Sequence, residues 1–290
     1  MAASFSYCGR FAPTPSGPLH FGSLIAALAS YLDARANSGT WLVRIEDVDT
    51  PRAVAGADQV ILEQLKHHEL HWDGEIWYQS ARTEVYQQAL EQLQHLQLTY
   101  RCTCTRKQIK AFGPYYTGTC RHKHIRSPNS AVRFRNDDPI LSFNDGWQGH
   151  VDIEPNFAGE DFVLFRRDGL FTYQLAVVVD DIEQGVTDIV RGEDLLTATS
   201  WQLNLWRYFT DRTPHFKHVP LALDEQGRKL SKQNHAPALS NTDAKEQLQA
   251  AMRFLGLTPN SRLNIPQMLT DAVAQWQARS FPEARQQDTI

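Results

Sequence analysis

The sequence predicts an α/β protein built around a parallel sheet. Three observations carry this expectation. Tyr7 to Phe11 reads as a short buried strand, and it leads into a loop that holds Pro13, Pro15 and Pro18. From about Leu19 the apolar residues Leu24, Ile25, Leu28, Tyr31 and Leu32 recur at the 3.6-residue period of a helix. Thr40 to Ile45 then reads as a second strand. Strand, loop, helix, strand is a βαβ unit, and such units join parallel strands.

The remaining elements follow in order. Gly39 is placed to end the first helix. One helix is expected from about Val54 to His68. Another is expected after Ser80, with Val85, Ala89, Leu90, Leu93 and Leu96 on its apolar face. Residues 99–135 break the alternation and read as an insertion. The α/β pattern resumes at Asp161 with Phe162 to Phe165, and continues through the valine-rich stretch at 177–179 and Ile189-Val190. Beyond Leu230 two helical segments are expected, Thr242 to Leu255 and Pro266 to Ala278, followed by a polar tail after Arg279 that frays.

With 290 residues, the chain is long enough for one large domain and a small appendage. A hydrophobic share of 42% with 21% charged residues is that of an ordinary soluble protein. No apolar run approaches the ~20 residues that span a bilayer. Met1 to Tyr7 lacks the basic and apolar regions of an export signal, so a cytoplasmic location without membrane attachment is expected. The net charge of −4 excludes a protein that is a polycation overall. Charge is nevertheless uneven. Residues 101–135 hold nine Lys or Arg and no Asp or Glu. Arg106, Lys107, Lys110, Arg121, Lys123 and Arg126 in this stretch are candidate contacts to an RNA backbone, because clustered cations displace counterions from a polyanion. Tyr115 and Tyr116 beside them are compatible with base stacking. The alternative is a basic face that meets only solvent.

The chain has four cysteines, Cys8, Cys102, Cys104 and Cys120. A single residue separates Cys102 from Cys104, which strains a disulfide between them. The clustered three supply soft ligands for one tetrahedral, structural Zn²⁺. Spacing alone favours His122 as the fourth ligand, since imidazole is a commoner ligand than phenolate.

Two further segments carry chemistry. In Arg10-Phe-Ala-Pro-Thr-Pro-Ser-Gly-Pro-Leu-His20-Phe-Gly22-Ser23 a rigid loop enters a helix whose first turn bears His20, Gly22 and Ser23. Free N–H groups and the helix dipole at that end favour a phosphate, and Gly22 allows close approach to the backbone. In Gly227-Arg228-Lys229-Leu-Ser231-Lys232-Gln233, two lysines flank a serine, a pattern suited to clamping a triphosphate with mobile point charges.

Together, His20-Phe-Gly-Ser23 and Lys229-Leu-Ser-Lys232-Gln233 resemble the His-Ile-Gly-His and Lys-Met-Ser-Lys-Ser signatures of class I aminoacyl-tRNA synthetases. Four blocks between them narrow the resemblance to the glutamyl branch. These are Arg44-Ile-Glu-Asp47-Val-Asp49, Asp168-Gly-Leu-Phe-Thr-Tyr173, Val177-Val-Val-Asp180-Asp181 and Arg191-Gly-Glu-Asp194. The resemblance covers about residues 5 to 240. Ser23 departs from the signature histidine; it keeps a hydroxyl donor but carries no charge. A full glutamyl-tRNA synthetase continues past the lysine loop into a large helical anticodon-binding region, whereas here only a short segment follows. In this, in the Cys-x-Cys pair and in the run from Lys229 to Leu239, the chain resembles the short glutamyl-queuosine tRNA(Asp) synthetases.

The resemblance implies a Rossmann-type catalytic domain with a zinc-bearing insertion and a short helical C-terminal part. Its expected divisions are 1–98 and 137–235 for the two halves of the catalytic domain, the latter with the rest of the insertion and the lysine loop. The basic insertion is 99–136, and 236–290 is the helical part, without an anticodon-binding domain. It implies activation of L-glutamate by ATP with Mg²⁺, then transfer to queuosine in tRNA(Asp), by a monomer. His20, Lys229 and Lys232 are the implied catalytic residues, and these with Gly22 and Ser23 the ATP contacts. Arg10, Phe11, Ala12, Pro13, Thr14, Glu46, Tyr173 and Arg191 are implied around glutamate. For zinc it selects Tyr116, in place of His122, beside Cys102, Cys104 and Cys120. Three alternatives stand beside this reading: a truncated synthetase charging the 3′ end of tRNA(Glu), a catalytically silent tRNA-binding paralogue, and an adenylate-forming ligase for a small molecule.

Overall fold

The computed structural model describes residues 6–223, 230 and 237–279. At its centre is a five-stranded parallel sheet in the order β10-β9-β1-β2-β3. The strands are β1 (Cys8–Phe11), β2 (Thr40–Ile45), β3 (Trp77–Tyr78), β9 (Asp188–Gly192) and β10 (His215–Val219). Every pairing in this sheet is parallel. Strand order reverses direction at β1: the chain first builds outward to β2 and β3, then returns to add β9 and β10 on the other side. Ligand crevices of open α/β sheets form at such a point, outside the carboxyl ends of the strands.

Helix α1 (Phe21–Ala36) crosses between β1 and β2. Leu24, Ile25, Leu28 and Leu32 are buried as the periodicity predicts. The helix does not end on Gly39. Ser38 takes the left-handed conformation (φ 50°), and Gly39 serves a different purpose. A Cβ there would lie 2.6 Å from atoms of Tyr7, so only glycine lets the chain pass β1 closely enough to start β2.

The sheet is covered on both faces. Successive residues of β9 show the period of two: Ile189 enters one core and Val190 the other. One core gathers α1, α2 (Ala57–His67), α8 (Ala244–Phe254) and α9 (Ile265–Gln277). Trp276 of α9 donates its indole N–H to Asp33 of α1 at 2.9 Å, which fixes the C-terminal helices to the sheet. The other core gathers α3 (Thr83–His95), α6 (Tyr173–Glu183) and α7 (Thr199–Trp206). The valine-rich stretch lies inside α6, where Val177, Val178 and Val179 are all buried.

Two small antiparallel sheets are inserted between α3 and α6. The first has the order β4-β5-β8, from β4 (Thr99–Cys102), β5 (Ala131–Phe134) and β8 (Val163–Phe165). The second is a hairpin of β6 (Ser142–Asp145) and β7 (Gly149–Asp152). The run from Phe162 to Phe165, expected to resume the α/β alternation, pairs antiparallel with β5 instead. Short helices α4 (Arg106–Phe112) and α5 (Pro155–Ala158) lie in the same region.

Candidate active site and metal centre

A cavity of about 800 Å³ opens at the carboxyl ends of β1, β2, β9 and β10, at the reversal of strand order. Its walls include Arg10, Phe11, Ala12, Pro13 and Thr14 from β1 and the loop after it, Glu46 from the end of β2, Tyr173 from the start of α6, and Arg191 from β9. The eight residues expected around glutamate therefore face one space. His20, Gly22 and Ser23 line the same cavity from the start of α1. Lys229 and Lys232 lie outside the described residues, but Leu230 between them lines the cavity and donates its N–H to the Ala222 carbonyl at 2.8 Å. A Cβ on Gly22 would sit 3.1 Å from the His20 ring and 3.4 Å from the Leu230 carbonyl oxygen. The absence of a side chain at Gly22 thus gives the His20 ring its room, while the Leu230 carbonyl lies at ordinary contact distance. His20 is the N-cap of α1 and makes no side-chain cap, so its side chain does not occupy the N–H groups of the first turn.

The charged floor of the cavity is a buried network. Asp181 accepts from Arg10 through both oxygens, at 3.0 and 3.2 Å, and from Arg44 at 2.8 Å. Arg44 also approaches Glu46 at 3.4 Å and Asp180 at 3.6 Å. Asp180 accepts in turn from Gln79, Tyr86 and Arg82. All of these acids and both Arg10 and Arg44 are buried, which costs several kcal/mol per ion unless pairing offsets it. Burial pushes the Glu46 carboxyl up to about 7, against the pull of Arg44 and Arg10. Burial pushes Asp181 upward too, but the two guanidiniums outweigh it and hold that carboxyl below its usual range. The sequence alone assigns no role to Asp181 or to Arg44, although the i, i+2 spacing puts Arg44 and Glu46 on the same side of the chain where β2 ends.

Arg191 sits in a different environment. Its side chain meets neutral acceptors: His218 Nε2 at 3.0 Å, Thr199 Oγ1 at 2.8 Å, Tyr173 OH at 3.4 Å and the Leu195 carbonyl at 3.5 Å. Among the described residues no carboxylate is within 4.0 Å of it. Burial correspondingly lowers its pKa. Of the two buried guanidiniums that line the cavity, Arg10 is matched by an acid and Arg191, among the described residues, is not.

The cysteines gather away from this cavity. The Sγ atoms of Cys102, Cys104 and Cys120 all lie within 4.8 Å of one another, with Cys104 and Cys120 at 3.5 Å. Tetrahedral ligation at a Zn–S distance of ~2.3 Å separates sulfurs by about 3.8 Å, so the cluster fits a zinc ion. Tyr116 brings its hydroxyl 3.5 Å from Cys102 Sγ, whereas His122 is exposed and outside the cluster. Burial pushes the Cys102 thiol up, but hydrogen bonds from Tyr116 and Arg133 prevail and lower it to about 7. All four cysteines are free thiols.

Comparison with known proteins identifies the family. The family described as tRNA synthetases class I (E and Q), catalytic domain, matches residues 8–273. A protein of Idiomarina loihiensis named glutamyl-Q tRNA(Asp) synthetase is 54% identical over 273 residues, covering 93% of this chain and 96% of its own length. The protein of the same name from Escherichia coli K12 is 51% identical, covering 96% of this chain and 91% of its own. This chain belongs to the glutamyl-Q tRNA(Asp) synthetase family. Its chemistry is accordingly that of a class I tRNA synthetase, a ligase-type enzyme. Among solved structures, glutamate-tRNA synthetase from Elizabethkingia anophelis superposes with a TM-score of 0.70 at 28% identity; the match covers 79% of this chain and 53% of that one. A second glutamate-tRNA ligase, from Elizabethkingia meningosepticum, gives 0.69 at 27% identity over 83% of this chain and 53% of that one. The chain thus spans about half the length of these solved relatives.

In this member of the family the basic segment divides in two. Arg121 pairs with Asp161 and Asp137, Arg133 approaches Glu160 at 4.0 Å, and Arg135 pairs with Asp137. These cations are committed to holding the insertion against its own acids. Arg106, Lys107 and Lys110 on α4, with Lys123 and Arg126, are exposed. No helix among the described residues is long and apolar enough to cross a membrane.

Proposed function

We propose that this enzyme activates L-glutamate with ATP in the absence of tRNA, then transfers it to the cyclopentenediol of queuosine in the anticodon loop of tRNA(Asp). The observation that carries the first half is the cavity itself. It combines Arg191, a buried arginine with no acid partner among the described residues, with the open N-terminal turn of α1. The acceptor rests on the names of relatives at 51–54% identity that align over nearly their whole length.

In the first step an oxygen of the α-carboxylate bonds to the α-phosphorus of ATP, and the bond from that phosphorus to the pyrophosphate oxygen breaks. The carboxylate is ionised at pH 7, so no general base is needed. Positioning and charge stabilisation remain. His20, Gly22, Ser23 and the first-turn N–H groups of α1 bind the phosphates, joined by Lys229 and Lys232. Mg²⁺, when bound with ATP, would supply further countercharge there. Arg10, Phe11, Ala12, Pro13, Thr14 and Tyr173 shape the amino-acid pocket. Glu46 holds the α-ammonium, whose arrival replaces lost solvation and keeps the carboxyl ionised. Arg191 grips a carboxylate of the substrate, because no acid among the described residues already matches its charge. In the second step a hydroxyl oxygen bonds to the activated carbonyl carbon, AMP leaves, and the adenylate phosphate takes the hydroxyl proton. Cys102, Cys104, Tyr116 and Cys120 hold a structural Zn²⁺. Arg106, Lys107, Lys110, Lys123 and Arg126 meet the RNA backbone, with Arg121 bracing the insertion beneath them.

ATP–pyrophosphate exchange without RNA tests the first half. Exchange that depends on L-glutamate and not on glutamine or aspartate is expected. No exchange with any of the three would overturn the proposal.

A further inference from the structure

His218 and Asp145 take no part in the chemistry just described, yet both are almost wholly buried and directly behind Arg191. Asp145 Oδ2 meets His218 Nδ1 at 2.6 Å. Its Oδ1 accepts backbone N–H groups from Trp147 and Gln148 at 2.9 Å and from His218 at 3.2 Å. A carboxylate so surrounded by donors is an acceptor only, so His218 Nδ1 carries the proton. On the neutral ring Nε2 is then a lone pair, and Arg191 Nε–H donates to it at 3.0 Å. The guanidinium has no acceptor atom, so the direction of this bond is fixed from both ends. Burial, the largest cause, lowers His218 to about 4, which keeps the ring neutral. Phe216 stacks on the imidazole with centroids 5.9 Å apart and planes inclined by 6°. The Thr199 hydroxyl accepts from Arg191 Nη2 at 2.8 Å and donates to the Leu195 carbonyl at 3.0 Å.

We propose that His218, oriented by Asp145, is a positioning residue that aims the Arg191 guanidinium into the cavity while leaving its charge available to the substrate. The inference rests on the reading of Arg191 as the carboxylate grip. A carboxylate at the place of His218 would hold Arg191 equally well, but it would neutralise the cation and compete with the ligand. A neutral imidazole fixes the Nε–H direction without doing so. The negative charge of Asp145 sets the tautomer from one ring further back.

The test uses RNA-independent exchange with the full chain, measuring KM for glutamate, KM for ATP and kcat. His218→Asn keeps a polar group near the Nδ1 position and loses the acceptor for Arg191. His218→Gln places its carbonyl near the Nε2 position and retains that acceptor. His218→Asn is expected to raise KM for glutamate about tenfold or more with KM for ATP unchanged, and His218→Gln to stay within about threefold of the parent. Arg191→Lys tests the underlying reading separately: an unchanged glutamate KM there removes Arg191 from substrate binding. If Arg191→Lys is impaired and His218→Asn matches the parent, or if His218→Asn and His218→Gln are impaired alike, the positioning role is overturned. Should His218→Asn fail to fold, Asp145→Asn probes the same chain. Loss of the charge that fixes the tautomer is expected to raise glutamate KM about tenfold, and an unchanged KM overturns the proposal.

Discussion

Replacing Asp181 by Asn should uncouple substrate binding from the fold in a measurable way. The Asp181 carboxylate accepts from Arg10 at 3.0 and 3.2 Å and from Arg44 at 2.8 Å, and all three side chains are nearly inaccessible to water. An amide keeps the volume but removes the charge and replaces one acceptor oxygen with a donor that faces a guanidinium. Arg10 would then be buried without an acid at ion-pair distance among the described residues, whereas Arg44 would keep Asp180 at 3.6 Å and Glu46 at 3.4 Å. Removing one partner of a buried pair costs about 3–5 kcal/mol. Against a total stability of about 5–15 kcal/mol the loss is large but survivable. Urea denaturation should show it, and exchange kinetics should show a raised KM for glutamate, since Arg10 loses the contact that orients it. Asp33→Asn is the matched control. Asp33 is equally buried and binds Lys217 and Trp276, neither of which lines the cavity, whereas Asp181 holds Arg10, which does. It should destabilise the chain without changing the glutamate KM. A D181N protein within about 0.5 kcal/mol of the parent, or one destabilised with unchanged KM, would refute the reasoning.

Three further outcomes are expected. Because Glu46 titrates at about 7, kcat/KM for glutamate should fall as pH drops through 7, where protonation removes the charge that holds the ammonium; Glu46→Gln should be low throughout and lack that limb, and a retained limb would assign it to another group. Purified protein should contain one zinc per chain, and Cys120→Ser should lose it together with the order of residues 99–136 seen by hydrogen exchange; a metal-free parent of full activity would contradict the site. Lys107→Glu and Lys110→Glu should weaken RNA binding and each flatten the dependence of log affinity on log salt by about 0.7; a slope equal to the parent's would remove α4 from the RNA interface.

Much of the site was legible because its residues sit at element boundaries that local sequence marks. Pro13, Pro15 and Pro18 announce the loop after β1, and Gly22 a close approach at α1; that Arg10, Glu46, Tyr173 and Arg191 share one crevice is implied by the family resemblance and not by local pattern. Thr40–Ile45 was read as a strand with the bounds it has. What escaped is what depends on distant pairing. Val177 to Val179 carry no 3.6-residue pattern because that part of α6 is buried all round, so helix and strand look alike there. Phe162 to Phe165 reads as a strand in any sheet, and only its partner β5 decides that it belongs to the antiparallel one. Asp180 and Asp181 are neighbours in sequence and share Arg44, yet their other partners differ, Tyr86, Gln79 and Arg82 for one and Arg10 for the other. Asp145 and His218 lie on strands separated by the whole of α6 and α7, and no local pattern connects them. Tyr116 lies four residues before Cys120 and His122 two after it, and spacing favours the imidazole; the fold turns the phenol toward the thiols and leaves the imidazole in water.

The most direct test of the account is the destination of labelled glutamate. The enzyme is incubated with ATP and labelled glutamate, together with tRNA(Asp) bearing queuosine, tRNA(Asp) lacking it, or tRNA(Glu). The account predicts label only on queuosine-bearing tRNA(Asp), and label that survives periodate treatment of the 3′ end. Label on the 3′ end of tRNA(Glu), or none on any RNA while exchange proceeds, would contradict it.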